Sequence, residues 1–481
     1  MALACVAAGV AVLSRRRRRT ARQLPPGPPR LPVLGNALQM PRGGREWLQY
    51  TAWGKQYGPL VYFELVGQPV LVLNAHGPAI ELLERRSRIY ADRPCLRMAG
   101  ELVGWERGVT LCPSGARHRR LRRLLHSALG AGAAGALRSV LETEARALIE
   151  ALCDGARFEE AVRTSVGRTI ARVTYGRGGE DEYIELAHDA QDKFGRAATP
   201  YAYVVDYFAP LKYLPSWMPG AKFIADAKQW RCELDHIARD PVSTIKGRLA
   251  SGESEACYVA DHLAAGEDEE DVTWSAASLF TGGADTTVST ITSFFLAMCR
   301  YPAVQARAQR EVDAVLKRDG VPHPTLAHRS DMPYVNACVA ELLRWQPAIP
   351  LGVAHRLIED DEFEGYFIPA GSSISIANTW ALTRDSDRFS DPEEFMPERY
   401  LEKSSHTEGF GFGRRACPGQ VLAEDSIFIA IANILADLDV LPPMDEYGNP
   451  KVPPVAYTSG LISHPESFDC RILSRERSIE T

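Results

Sequence analysis

The chain has 481 residues, is 45% hydrophobic and 24% charged, and carries a formal net charge of -6, so it is a folded globular protein of two ordinary domains or one large cofactor-bearing domain. The negative balance excludes general nucleic-acid binding and leaves a small-molecule ligand as the better fit. Ten cysteines, scattered without a CxxC pair, exclude a disulfide framework and a structural zinc site and imply a reducing compartment.

From Met1 to Leu13 the residues are almost all apolar, and the run stops at Arg15, Arg16, Arg17, Arg18 and Arg19. As a helix it spans roughly 18–20 Å against a hydrocarbon core of about 30 Å, so crossing requires tilt, thinning or snorkelling arginines. Positive charge after the apolar run, where a secretory leader carries it in front, predicts a membrane anchor over 1–14 with the body on the cytosolic side. A misassigned start, a frayed tail and a nuclear-import signal are the competing readings. Pro25-Pro26-Gly27-Pro28-Pro29 cannot be helix or central strand and predicts a stiff, extended hinge within the basic and proline-rich stretch 15–30, leading to a body over 31–481. Leu60 to Asn74 reads as a hairpin around Gly67-Gln68, followed by a helical pattern from His76 to Arg88. Helical patterns then cover Ala116–Leu129, Ala136–Leu152, Val272–Arg300, Ala303–Leu316 and Tyr334–Trp345, with a second β-rich stretch from His355 to Ile376. There is no internal repeat and no linker long enough to split the body.

In Phe410-Gly-Phe-Gly413-Arg-Arg415-Ala-Cys417-Pro-Gly419 the glycines allow close backbone approach. Cys417 precedes an apolar helical run, Val421–Leu435, whose positive end favours a thiolate. A lone cysteine is more often structural, and Gly411-x-Gly413-x-x-Ala416 superficially mimics a dinucleotide fingerprint. Against the latter, a Cys-Pro pair stands where the helix should open, and no acidic ribose ligand follows a βαβ unit. Glu341 and Arg344 share a helix face and taken alone read as a solvated surface pair. Gly282-Gly283 costs about 1 kcal/mol per glycine in a helix interior, so its place in so apolar a helix asks for the close approach of a ligand. Thr286, four residues on, can divert the Gly282 carbonyl from the helical ladder and open a groove; a simple kinked core helix is the alternative. Arg117 to His126 forms a strongly basic helix, most of it a solvated face, whose outward arginines can steer an acidic partner.

Phe410-x-x-Gly413-x-Arg415-x-Cys417-x-Gly419 resembles the haem-binding signature of the cytochrome P-450 superfamily. Glu341-Leu-Leu-Arg344 resembles its ExxR helix, Pro397-Glu-Arg399-Tyr its PERF-type loop, and Gly282-Gly-Ala-Asp285-Thr286-Thr287 its oxygen-activation segment, all in the family's order. The resemblance runs from the proline-rich stretch to Tyr457–Ile462. It implies a mainly α fold with a small β region, the cytochrome P-450 fold, with haem b (iron protoporphyrin IX) between the Val272–Arg300 helix and the loop that carries Cys417. Cys417 would be the metal ligand, and a thiolate there pushes electron density onto iron and favours O–O cleavage. Phe410, Gly413, Arg415 and Gly419 would be cofactor contacts, Glu341, Arg344 and Arg399 a charge-assisted structural triad, and Asp285 and Thr286 a proton relay. In the family the basic helix reads WxxxR and meets a haem propionate; Arg122 matches, but His118 replaces the tryptophan. His355 and Arg356 stand at a further propionate contact, and the sequence does not choose between them.

The resemblance further implies a monooxygenase acting on O2 and a lipophilic small molecule. Electrons would come from NADPH through a separate reductase, with cytochrome b5 as an additional donor, and the enzyme would be held on the endoplasmic reticulum by a single-pass anchor. Segments expected to line the substrate pocket are Leu96–Trp105, Tyr201–Trp217, Phe280–Gly283, Ile349–Val353 and Ser459–Ile462, mostly apolar. The stretch from Val205 to Gly220 resembles fungal, especially basidiomycete, members, which implies secondary metabolism or xenobiotic oxidation. The segment between Tyr400 and Phe410 is shorter than in class II fungal enzymes. One rival is a haem-thiolate enzyme that uses peroxide or rearranges its substrate, and Asp285-Thr286 speaks against it. The other is a haem-binding sensor or electron-carrier membrane protein, which needs neither an apolar cavity nor a proton relay.

Overall fold

The computed structural model describes residues 23–475 apart from 42–43, 130–133, 177–179, 200–201, 254, 372–374 and 403–407. Helix α1 (Glu46–Tyr57) packs on a hairpin of β1 (Leu60–Leu65) and β2 (Gln68–Leu73), in which Leu60 pairs with Leu73 and Leu65 with Gln68. Its two-residue turn places Val66 and Gly67 both at positive φ, the geometry that matches the twist of the flanking strands. From the second β-rich stretch come β3 (Asp361–Phe363) and β4 (Tyr366–Ile368), a separate hairpin, and β5 (Ser375–Ala377), which joins β2 in parallel.

The helical body comprises α2 (Ala116–Leu129), α3 (Ala134–Cys153), α4 (Phe158–Tyr175), α5 (Glu180–Ala198), α6 (Lys222–Ser251), α7 (Tyr258–Ala264), α8 (Glu269–Arg300), α9 (Pro302–Asp319), α10 (Pro333–Trp345) and α11 (Gln420–Asp437). The chain then closes with β6 (Leu438–Leu441), antiparallel to β7 (Arg471–Ser474). Helix α8 begins where the Asp268 side chain accepts the Asp271 N–H at 2.9 Å, with Glu269, Glu270 and Asp271 at its positive end. It is apolar almost all round, so it must be covered on all sides, and it runs through the middle of the body against α2, α4, α5 and α11. Helices α1 and α4 to α7 go beyond the sequence expectation. Helix α4 is buried on most faces and includes Thr169 and Thr174, whose hydroxyls donate to the carbonyls four residues back, so it has no clean apolar stripe to read. Helix α6 continues through Pro241.

The proline-rich stretch is extended, as its composition requires, but it is docked. Tyr62 N–H donates to the Pro26 carbonyl at 2.8 Å, and Asn36 Nδ2 donates to the Pro28 and Pro29 carbonyls at 3.2 and 3.1 Å. A Cβ on Gly27 would lie 1.8 Å from the Tyr62 carbonyl oxygen. The outer edge of β1 thus takes up residues expected to form a hinge. The anchor expected over 1–14 lies outside the described residues, and among the described residues no helix is long and apolar enough to cross a membrane.

Candidate active site

One cavity opens between α8 and the loop that ends at Gly419, with α4, α5 and the segment after Tyr457 as further walls. The Cys417 sulfur faces this space from deep within the protein; it is exposed to the cavity rather than to the outer surface. The loop is held by Cys417 N–H donating to the Phe410 carbonyl at 2.8 Å. Phe410, Gly411 and Gly419 line the cavity, and Gly413 does not. Gly413 sits at φ 54°, where a Cβ would lie 2.5 Å from the Leu83 carbonyl oxygen, so the role expected of it as a cofactor contact becomes one of packing against the helical segment below. Burial pushes the Cys417 thiol up, while the Gly419 N–H and the Arg122 guanidinium pull it down. The sulfur stands beside the start of α11, and a cation bound to it would favour the thiolate.

The polar end of the cavity is cationic. Arg93, Arg122, Arg415, His118 and His355 line it, and among the described residues no aspartate or glutamate does. Arg415 donates to the carbonyls of Ala91 and Cys112, each at 2.7 Å, and Arg122 Nη1 to that of Ala416 at 2.7 Å. Burial and the neighbouring Arg415 charge push Arg93 well below the ordinary arginine range. His355 Nδ1 meets the Tyr90 carbonyl at 3.0 Å, whereas Arg356 turns away and donates through Nε to Asp92 at 2.9 Å. Of the two candidates, His355 therefore reaches the cavity and Arg356 does not, because Asp92 captures it. Sequence reasoning missed Arg93, whose only signal is an arginine between Asp92 and Pro94. His118 Nε2 is buried without a hydrogen-bond partner among the described residues. A sulfur ligand, apolar walls and this cluster, short of anions, fit an iron porphyrin that carries two carboxylates.

On the α8 wall Gly282, Gly283 and Thr286 line the cavity. A Cβ on Gly282 would meet nothing within 4 Å, whereas one on Gly283 would come within 2.7 Å of Ile170 Cδ1. The pair thus opens space on one side and admits α4 on the other. Thr286 Oγ1 donates to the Gly282 carbonyl at 3.0 Å, within an unbroken helix. Asp285 does not line the cavity. It faces His464, whose Nε2 lies 3.1 Å from Oδ2, and His188, whose Nδ1 lies 3.7 Å from Oδ1. Burial alone would raise the Asp285 carboxyl, but the His464 hydrogen bond and the charges of His464, His188 and Arg163 hold it below its ordinary value. As placed, Asp285 does not present a proton to the cavity directly.

Away from the cavity, Arg344 forms a bidentate pair with Glu341, with both contacts at 2.7 Å, and Arg399 Nε reaches Glu341 at 3.3 Å. The structure thus brings this triad together in the interior rather than at a solvated surface. The substrate walls differ from expectation. The lining residues include Ile349, Val353, Leu461 and Ile462, but none of the described residues from Leu96–Trp105 or Tyr201–Trp217; α4 and α5 provide Val166, Ile170, Gln191 and Phe194 instead. Arg97, Arg231 and Lys212 tie the first of those segments to neighbouring ones, as an outer layer. On α2, Arg117 and Arg120 pair with Asp271 and Arg123 with Glu267, so part of the basic face is bound within the chain.

His118 yields a pH prediction. Burial, then the charges of Arg415, Arg122 and Arg93, lower it from 6.5 to about 3. A depressed folded-state value means that its contribution to stability is fully present above pH 6.5 and is lost as pH falls towards 3. At about pH 5 the cofactor-free protein should have lost about 2 kcal/mol through this group. A carboxylate placed against His118 raises its pKa and removes part of that loss. Thermal midpoints of the cofactor-free and haem-loaded proteins at about pH 7.5 and pH 5 check this; an equal drop in both forms overturns the assignment of His118 to the anion.

Comparison with known proteins fits this geometry. The family model for Cytochrome P450 matches residues 25–469. The chain is 37% identical over 481 residues to cytochrome P450 monooxygenase 208 of Postia placenta, covering 97% of this chain and 93% of that one. It is 37% identical over 473 residues to cytochrome P450 monooxygenase claR of Ampulloclitocybe clavipes, with 95% and 87% covered. A cytochrome P450 monooxygenase of Armillaria gallica is 36% identical, with 96% and 94% covered.

Proposed function

Because the chain belongs to the cytochrome P450 family, and is thus an oxidoreductase of the monooxygenase kind with haem as cofactor, we propose that it holds haem b through Cys417 and inserts one oxygen atom of O2 into a lipophilic small molecule. The product is an alcohol or epoxide, and the second oxygen atom leaves as water after two electrons and two protons are taken up. The observation that supports this most is that Cys417 and Thr286 line one cavity, from a loop and from α8, beneath walls that are mainly apolar. When bound, haem supplies the iron at which O2 is activated, with thiolate ligation favouring O–O cleavage.

Arg93, Arg122, Arg415, His118 and His355 would hold the carboxylates of the cofactor. Thr286 Oγ1, its own proton engaged by the Gly282 carbonyl, offers lone pairs that hold a water in the cavity and keep that water's proton available. Asp285 acts behind it. Its carboxylate must leave His464 before it can exchange a proton with that water, so the pair meters delivery. Electrons come from NADPH through a separate reductase, with cytochrome b5 as an additional donor. Secondary metabolism or xenobiotic oxidation at the endoplasmic reticulum suits the fungal relatives, with 1–14 as anchor.

Thr286→Ala tests the relay, with product, hydrogen peroxide and NADPH measured together in the presence of added reductase and a lipophile that is turned over. A positioned proton donor contributes about 10²–10⁴-fold, so product per NADPH should fall by about tenfold or more while peroxide per NADPH rises. Thr286→Ser should restore much of the coupling. Wild-type coupling in the alanine variant would remove Thr286 from proton delivery.

A further inference from the structure

The polar side chains on the cavity wall away from Cys417 are not equivalent. Ser165 Oγ donates to the Glu144 carbonyl at 3.0 Å and Thr169 Oγ1 to that of Ser165 at 2.8 Å. Ser278 Oγ donates to the Trp274 carbonyl at 2.6 Å and accepts the Val109 N–H at 2.9 Å. The protons of these hydroxyls are thus committed to the backbone. Gln191, on α5, differs. Its Nε2 donates across to the Thr281 carbonyl of α8, which fixes the amide on the wall. Its second N–H and its Oε1 have no hydrogen-bond partner among the described residues. The Thr281 carbonyl immediately precedes Gly282, beside which the space is open. The apolar residues lining the same cavity include Phe194 from the same helix and Ile170 and Leu279 from its neighbours.

We infer that Gln191 is the polar anchor of the substrate site, and that the enzyme selects lipophiles that already carry one oxygen function, a hydroxyl in preference to a ketone, over hydrocarbons of the same shape. The inference rests on the monooxygenase reading above. An amide held in place offers one donor and one acceptor; a hydroxyl uses both, a ketone only the donor, and a hydrocarbon neither. A hydrocarbon that covers the amide strips it of water and gives nothing back, which is the asymmetry that lets a polar pocket reject an apolar analogue.

The test uses the haem-loaded full chain and three probes of one skeleton: decalin, decalol and decalone. Dissociation constants come from the spectral shift of the haem and, independently, from equilibrium dialysis. Replacing Gln191 by the near-isosteric methionine should weaken decalol by about 5- to 10-fold and decalone by about 2- to 5-fold, and leave decalin within about twofold. Gln191→Glu, which keeps length and acceptor but loses the donor, should weaken decalone more than decalol, and it serves should the methionine variant not fold. Decalin binding with unchanged decalol-to-decalin and decalone-to-decalin ratios in both variants overturns the role of Gln191 and leaves the lipophile cavity standing. Failure of all three probes to bind the wild-type protein overturns both.

Discussion

Cys417→Ala should abolish the absorption band that marks thiolate ligation in the reduced, carbon-monoxide-bound protein, and with it all NADPH-driven oxidation. The loss should be complete because, among the described residues, no other cysteine and no carboxylate or other anionic side chain lines the cavity. Haem should still enter in part, since the arginines and histidines at the polar end remain and the contacts that hold the loop, from its backbone and from Arg415, do not use the Cys417 sulfur. The Cys417 N–H to Phe410 carbonyl bond, for example, does not need the sulfur. Cys417→Ser is the sharper test. Its hydroxyl fits the space but is far less acidic than a thiol, and burial, which already pushes the thiol up, pushes against an alkoxide more strongly. Reduced-CO spectra and haem-to-protein ratios of both variants check this; the thiolate band surviving in either would sink the assignment of the ligand.

The second large effect is expected at Glu341. Its carboxylate has no exposed surface, and it accepts from Arg344 twice, from Arg399 and, at 2.8 Å, from the Met396 N–H. One anion thus organises the end of α10 and the loop before Pro397. Arg344 is itself 1% exposed and spans to the carbonyls of Thr383, Pro392 and Glu394. Glu341→Ala leaves that guanidinium buried without its counter-ion, at a cost of about 3–5 kcal/mol, a large part of the roughly 5–15 kcal/mol that keeps a domain folded. Little soluble, haem-loaded protein should result. Arg399→Ala should cost less, because the bidentate pair survives, but haem occupancy and thermal midpoint should both fall. Normal yield, occupancy and melting for both variants would place the triad outside the structural core.

Much of this was legible in the sequence because it is local. Chain spacing makes Cys417 the residue beside the start of α11, puts Glu341 and Arg344 on one turn of α10, makes α8 apolar over most of its length, and folds Leu60–Leu73 into a hairpin, although the turn falls at Val66-Gly67, one residue before the Gly67-Gln68 expected. These depend on interactions within a few residues, which periodicity and turn chemistry record. Tertiary structure decided which partner each polar group finds across long separations. Asp92 takes Arg356 and leaves His355 to the cavity; His464 takes Asp285 and turns it from the cavity; the Leu83 backbone makes Gly413 a packing residue; α5 brings Gln191 to Thr281. Three of these are competitions for a hydrogen bond or ion pair, and the one at Gly413 is a steric close approach. The outcome of each depends on which groups the packing of apolar faces has already brought within about 3 Å, and that distance is written in no stretch of the chain by itself.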